Sequence, residues 1–189
     1  MDQTQINNDQ PESTARESLF SITFQNQIYL IQIADNKANI IISINSIIIS
    51  IIVSVTGLGA LSKTFEIGKL YILLPVTVII LTSLLSVVLA IQAAKPQITT
   101  GKNNLKGMKP ERTSLLFFAN YTDKTLEGYL SEMNQMLESK TSMKENMIID
   151  IFNQGKILSR KYRLLNTAYQ IFMYGFIFSV LSFLIMLIF

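Results

Sequence analysis

The sequence predicts an all-α membrane protein: three transmembrane helices, with a small helical cytoplasmic lobe between the second and third. Three observations carry that prediction. Residues 40–61, 70–91 and 167–189 contain no charged side chain, each run is long enough to cross a bilayer as a helix, and basic residues crowd the chain between the second and third runs. A helix rises about 1.5 Å per residue, so the 22 residues of the first run reach about 33 Å, against a hydrocarbon core of about 30 Å. Its nine isoleucines each favour insertion by about 0.3 to 0.6 kcal/mol, which outweighs one Asn and a few hydroxyls. A buried soluble helix would suit any one of these runs, but three of them in 189 residues argue against it. A cleaved signal peptide is not expected, because the first apolar run begins at residue 40 and is too long for an h-region.

Residues 1–12, rich in Asn, Gln and Asp with one Pro, read as a disordered tail. Across residues 13–39, Phe20, Phe24, Ile28 and Ile31 recur at spacings of four, four and three, which predicts a cytoplasmic amphipathic helix leading into span one. Alternation at Ile22 and Phe24, and at Ile31 and Ile33, also fits a strand; the helix is preferred. The short stretch 62–69, with Gly57, Gly59 and Gly68 around it, makes spans one and two a hairpin. Pro75 lies one turn into the second span, where a missing amide donor is tolerated. Lys95-Pro96 ends that helix, and Gly101, Gly107 and Pro110 mark a basic loop.

Residues 92–163 form the expected lobe. Residues 114–121, SLLFFANY, are apolar but too short to separate a strand from a buried helical turn. A first amphipathic helix carries Leu126, Tyr129, Leu130, Met133, Met136 and Leu137 on one stripe. In a second, Ser142 and Glu145 suggest a capping box ahead of a stripe of Met147, Ile151, Leu158, Tyr162 and Leu165. Neither stripe is stable alone, so these elements should pack on one another, on SLLFFANY and on the N-terminal helix. No proline follows Pro110, so the second lobe helix is expected to continue into span three as one rod.

Charge gives an orientation. Residues 92–163 hold twelve Lys or Arg against seven acids, and the basic residues gather next to the spans. Basic residues near membrane ends stay in the cytoplasm, which places the lobe and the N-terminus inside and Phe189 outside. Because these charges hug the bilayer instead of alternating with aromatics, the expected partner is anionic lipid and not nucleic acid. The chain has no Cys and no His, which excludes disulfides, thiolate nucleophiles, His-based triads and the usual zinc sites. No pair of carboxylates, lysines or hydroxyls stands out as catalytic machinery, and no cofactor motif is present. A non-enzyme is expected.

Three constellations are candidates for function. Asn39, Ser43, Ser46, Ser50 and Gly57 recur along one face of span one, and Asn45 lies off that stripe; small polar faces of this kind let membrane helices approach and hydrogen-bond, so the chain is expected to self-associate. Static packing among the three spans is the plainer reading. Asp35 and Lys37 stand at the inner mouth of span one, as interfacial anchors or as a charged latch to the lobe. Lys109, Arg112, Arg160, Lys161 and Arg163 are candidate contacts for a phosphate or for lipid headgroups, with ordinary positive-inside charge as the competing explanation.

The stretch Ile33-Ala34-Asp35-Asn36-Lys37-Ala38-Asn39-Ile40, then Asn45 inside the span, resembles the transmembrane effector family of Pycsar antiphage systems. So do Leu116-Phe117-Phe118 and Asp150-Ile151 followed by Gly155, Leu158, Lys161, Tyr162 and Arg163. The resemblance implies a dormant membrane protein that responds to cCMP or cUMP made by a partner cyclase during phage infection, then impairs the inner membrane and stops the infected cell. It marks Asp35, Lys37, Asn45, Asp150, Lys161 and Tyr162 as family-like residues without assigned contacts. A conventional cyclic-nucleotide-binding domain is strand-rich and longer than residues 92–163, so direct sensing would need another kind of pocket. An accessory subunit packing against a transporter or signalling partner is the alternative function.

Overall fold

A computed structural model of the protein describes residues 9–61, 70–96, 114–116, 120–122 and 124–188. It is all-helical, as the sequence predicts, with no strand among the described residues. Helix α1 is Asp9–Leu61, α2 is Leu70–Ala94, α3 is Leu126–Glu138 and α4 is Lys140–Ile188. Helices α1, α2 and α4 are each long and apolar enough to cross a membrane. At 53 and 49 residues, α1 and α4 are about 80 Å and about 74 Å long, far more than a hydrocarbon core of about 30 Å, so each has turns to spare outside it.

The termini of these helices follow from local chemistry. Helix α1 begins at Asp9, inside the stretch read as a tail, with Pro11 in its first turn where a missing amide is tolerated. No proline or glycine separates residues 13–39 from 40–61, and the two elements expected there are one helix. Thr125 caps α3, its Oγ1 accepting from the Gly128 amide. Helix α4 already starts at Lys140, because Ser139 Oγ accepts from the amide of Ser142; the capping residue is Ser139, and Ser142 is inside the helix. From there α4 runs unbroken to Ile188. Of SLLFFANY, the described residues 115–116 and 120–121 form turns.

The chain divides into two compact units, Met1–Leu30 with Pro96–Leu158 and Ile31–Lys95 with Ser159–Phe189. In the first, Asn146 Oδ1 accepts from the Leu115 amide, which ties Leu115 to α4, and Asn120 Nδ2 donates to the Ser114 carbonyl. The stripe of α3 is only partly covered: Met136 is buried and Tyr129 and Met133 half-buried, while Leu126, Leu130 and Leu137 stay exposed. Full burial of that stripe, expected from its spacing, is not realised within one chain.

The second unit is built inside out relative to a soluble bundle. Most of its buried positions are small or polar, among them Ala34, Ala38 and Asn45 on α1, Ser83, Ser86 and Ala90 on α2, Ala168 and Ser179 on α4, with Ile41, Ile79 and Leu165 as the large exceptions. Its exposed positions are large and apolar, among them Ile47, Ile51, Leu81, Leu85, Phe178 and Leu181. Water would drive the large side chains inward, whereas in hydrocarbon they gain nothing by burial and close backbone approach decides the packing. Ser86 Oγ donates to the Ala168 carbonyl and Ser179 Oγ to the Pro75 carbonyl, each at 2.9 Å, which binds α2 to α4 at two levels.

Gly175 marks a close approach of α4 to α2. A Cβ built there would land inside the side chain of Thr82. Gly175→Ala should therefore destabilise the membrane unit by about 1 to 3 kcal/mol through overpacking, with partial recovery in Gly175→Ala/Thr82→Gly. Thermal unfolding of the detergent-solubilised protein checks this, and an unchanged melting temperature in the single variant would contradict the close contact.

Candidate functional site

Two polar constellations are buried, one in each unit. In the membrane unit, Ala34, Ala38, Ile41 and Asn45 form the inward stripe of α1 at helical spacing, and Lys161, Leu165 and Ala168 form that of α4. Asp35 and Lys161 make an ion pair across these helices, 126 residues apart in sequence. Lys161 is 5% exposed and Asp35 half-buried, so the ammonium depends on its carboxylate for solvation. Asp35 thus takes its partner from α4, while its sequence neighbour Lys37 is exposed. Asn45 is fully buried; its Nδ2 donates to the Ile41 carbonyl at 2.9 Å and its Oδ1 has no protein partner.

The small polar stripe of span one lies about 130° around α1 from Asn45. Asn39, Ser43, Ser46, Ser50 and Gly57 are all exposed in the single chain. Ser46 and Ser50 donate to the carbonyls of Ile42 and Ser46, one turn back, so both hydroxyls are satisfied without a neighbouring helix. A Cβ at Gly57 would meet nothing within 4 Å. Of the basic candidates, Arg160 and Arg163 are exposed and Lys161 is committed to Asp35. Lys109 and Arg112 lie outside the described residues.

In the lobe unit the family-like Asp150 is 5% exposed and lines a cavity of about 310 Å³ together with Phe20, Phe24, Leu116, Met147 and Ile151. Phe20 and Phe24 come from successive turns of α1, Met147 and Ile151 from successive turns of α4. Gln154 Nε2 donates to Asp150 Oδ2 at 3.5 Å, a long bond, and Asp150 Oδ1 has no protein partner. Gln154 is itself buried, and neither its Oε1 nor that of Gln27 is partnered. Gln27 reaches across to α4, where its Nε2 is 3.7 Å from a Cβ built on Gly155. Burial pushes the Asp150 carboxyl above its ordinary value, and the Gln154 hydrogen bond only partly opposes this. Tyr162 is half-buried further along α4.

Sequence reasoning singled out Asp150 and Lys161 but did not bring in Gln27 or Gln154. The available signal was weak: Gln154 falls one turn after Asp150, and Gln27 one turn after Phe24, each on an otherwise apolar face.

The family model described as "Pycsar effector protein domain", PycTM, matches residues 19–188. The chain belongs to the Pycsar effector family. It is a membrane protein of an antiphage effector family, and the match takes in both polar constellations and all three membrane-length helices. No curated protein and no solved structure matches the chain.

Two outcomes follow from this geometry. Asp35→Ala should lower stability by about 2 kcal/mol by stranding a buried ammonium, and Asp35→Ala/Lys161→Met should recover most of that loss. Melting of the purified variants reads the coupling; a double variant no better than the single one would contradict the pair. Asp150→Asn should raise the melting temperature at pH 7, because the folded state disfavours the ionised carboxylate. The raised carboxyl of Asp150 favours folding fully below its ordinary pKa of 3.8, and that contribution is lost as pH rises through the folded value, so the Asn advantage shrinks on acidification towards 3.8.

Proposed function

We propose that this effector responds to a cyclic pyrimidine nucleotide, cCMP or cUMP, made by a partner cyclase during phage infection, and that it then impairs the inner membrane and stops the infected cell. The family match along residues 19–188 carries this reading. The protein works without catalysis, by shifting between a resting and an active arrangement. A ligand can do this only by binding the active arrangement more tightly. Helix α4 supports the reading, since the chain that carries Asp150 and Gln154 continues as helix, without a break, into the third membrane-length segment.

Self-association supplies the membrane damage. The stripe of Asn39, Ser43, Ser46, Ser50 and Gly57 is uncovered in the single chain, and its small residues suit close contact with the same face of another copy. The basic residues flanking the spans keep the lobe in the cytoplasm, where the nucleotide is made.

Raising cCMP or cUMP in cells that express the chain should depolarise them within the course of infection; an unchanged membrane potential with both nucleotides would contradict the proposal. Purified chain alone should release dye from vesicles when the nucleotide is added, which an accessory subunit would not do. Ser46→Leu/Ser50→Leu should abolish toxicity at normal expression, and toxicity that survives both changes would remove span-one assembly from the account.

A further inference from the structure

The lobe cavity is largely apolar, with Ser21 and the carboxyl of Asp150 as its polar lining. Phe20 and Phe24 on α1 face Met147 and Ile151 on α4 around a volume of about 310 Å³, within the range of small-molecule sites. Asp150, 95% buried by its 5% exposure, lines this space with Oδ1 unpartnered. On the adjoining turns, Gln154 Oε1 and Gln27 Oε1 are also buried without a donor. A buried acceptor left unpaired costs about 1 to 3 kcal/mol, and three of them on neighbouring turns of two packed helices form a repeated deficit of one kind, a lack of N–H or O–H groups.

We infer that this cavity binds a flat, N–H-bearing heterocycle, packed against Phe20 and Phe24 and donating a hydrogen bond to Asp150. The inference rests on the proposed response to a cyclic pyrimidine nucleotide, and it assigns the base of that nucleotide to this site. The amino group of cytosine or the imide N–H of uracil supplies the missing donor. Aromatic walls take either ring by stacking, which is tolerant of base identity. No basic side chain is among the residues that line the cavity, so the base enters and the cyclic phosphate stays towards the opening. Asp150 can act with either base: as a carboxylate it accepts from an N–H, and in the protonated form that burial favours it also donates to a ring nitrogen or carbonyl. Occupancy would join α1, the 114–116 turn and α4 through one ligand.

Hydrogen exchange of the full-length, detergent-solubilised chain tests this without a substitution. Addition of cCMP or cUMP should slow exchange in segments 20–27 and 147–155. Affinity for the active nucleotide should then fall about tenfold or more in Asp150→Leu, which removes the acceptors, and in Phe24→Ala, which removes a wall, with helical content and melting retained. Nucleotide binding with protection confined to other segments, or with both folded variants binding as tightly as the parent chain, would overturn the cavity assignment and leave the nucleotide response standing. Absence of binding of either nucleotide to the parent chain would overturn both.

Discussion

In hydrocarbon every polar atom must be satisfied inside the protein, and the architecture of this chain depends on that constraint. It explains why the membrane unit packs through alanine, serine and glycine while Ile47, Leu85 and Phe178 face outward. It also explains the fate of the hydroxyls. Those on the outer face of α1 bond back to their own helix, as Ser46 and Ser50 do, whereas Ser86 and Ser179 bond across to the carbonyls of the facing helix. Asp35 and Lys161 meet the same demand with charge, each supplying the solvation that the other loses.

Asn45 Oδ1 and Ser83 Oγ are isolated departures from that rule in the membrane unit, whereas in the lobe unit Asp150, Gln154 and Gln27 place three buried oxygens without donors on neighbouring turns. Natural interiors leave few such groups, so a cluster of them beside a cavity sets this region apart from a structural core. Helices α1 and α4 both contribute to each unit, and α4 carries Asp150 and Lys161 eleven residues apart, about three turns of one helix.

Much of this was legible in the sequence, for identifiable reasons. The three spans follow from length and absence of charge, and the unbroken α4 from the lack of proline after Pro110. The position of the cap was not legible because Ser139 and Ser142 are both good capping residues three apart, and only the structure shows that Ser139 accepts the amide bond. The Asp35–Lys161 pair and the Thr82–Gly175 approach were invisible because both depend on register between segments far apart in the chain. The polar stripe of α1 shares one face by spacing, but spacing alone does not reveal whether a face turns inward; the inward stripe is the one that contains Asn45, about 130° away. In the lobe, the spacing of α3 signalled an apolar face without showing that Leu126, Leu130 and Leu137 stay uncovered in a single chain.

The most direct test uses the lack of native cysteine. Single cysteines placed at Ile47, Leu85 and Phe178, spin-labelled in reconstituted bilayers, report whether these outward positions lie in lipid. The account predicts high accessibility to oxygen and little to a water-soluble nickel reagent at all three, with the reverse at Lys140. Strong nickel accessibility at Ile47, Leu85 and Phe178 would mean that these side chains face water, and the inside-out packing would have no explanation.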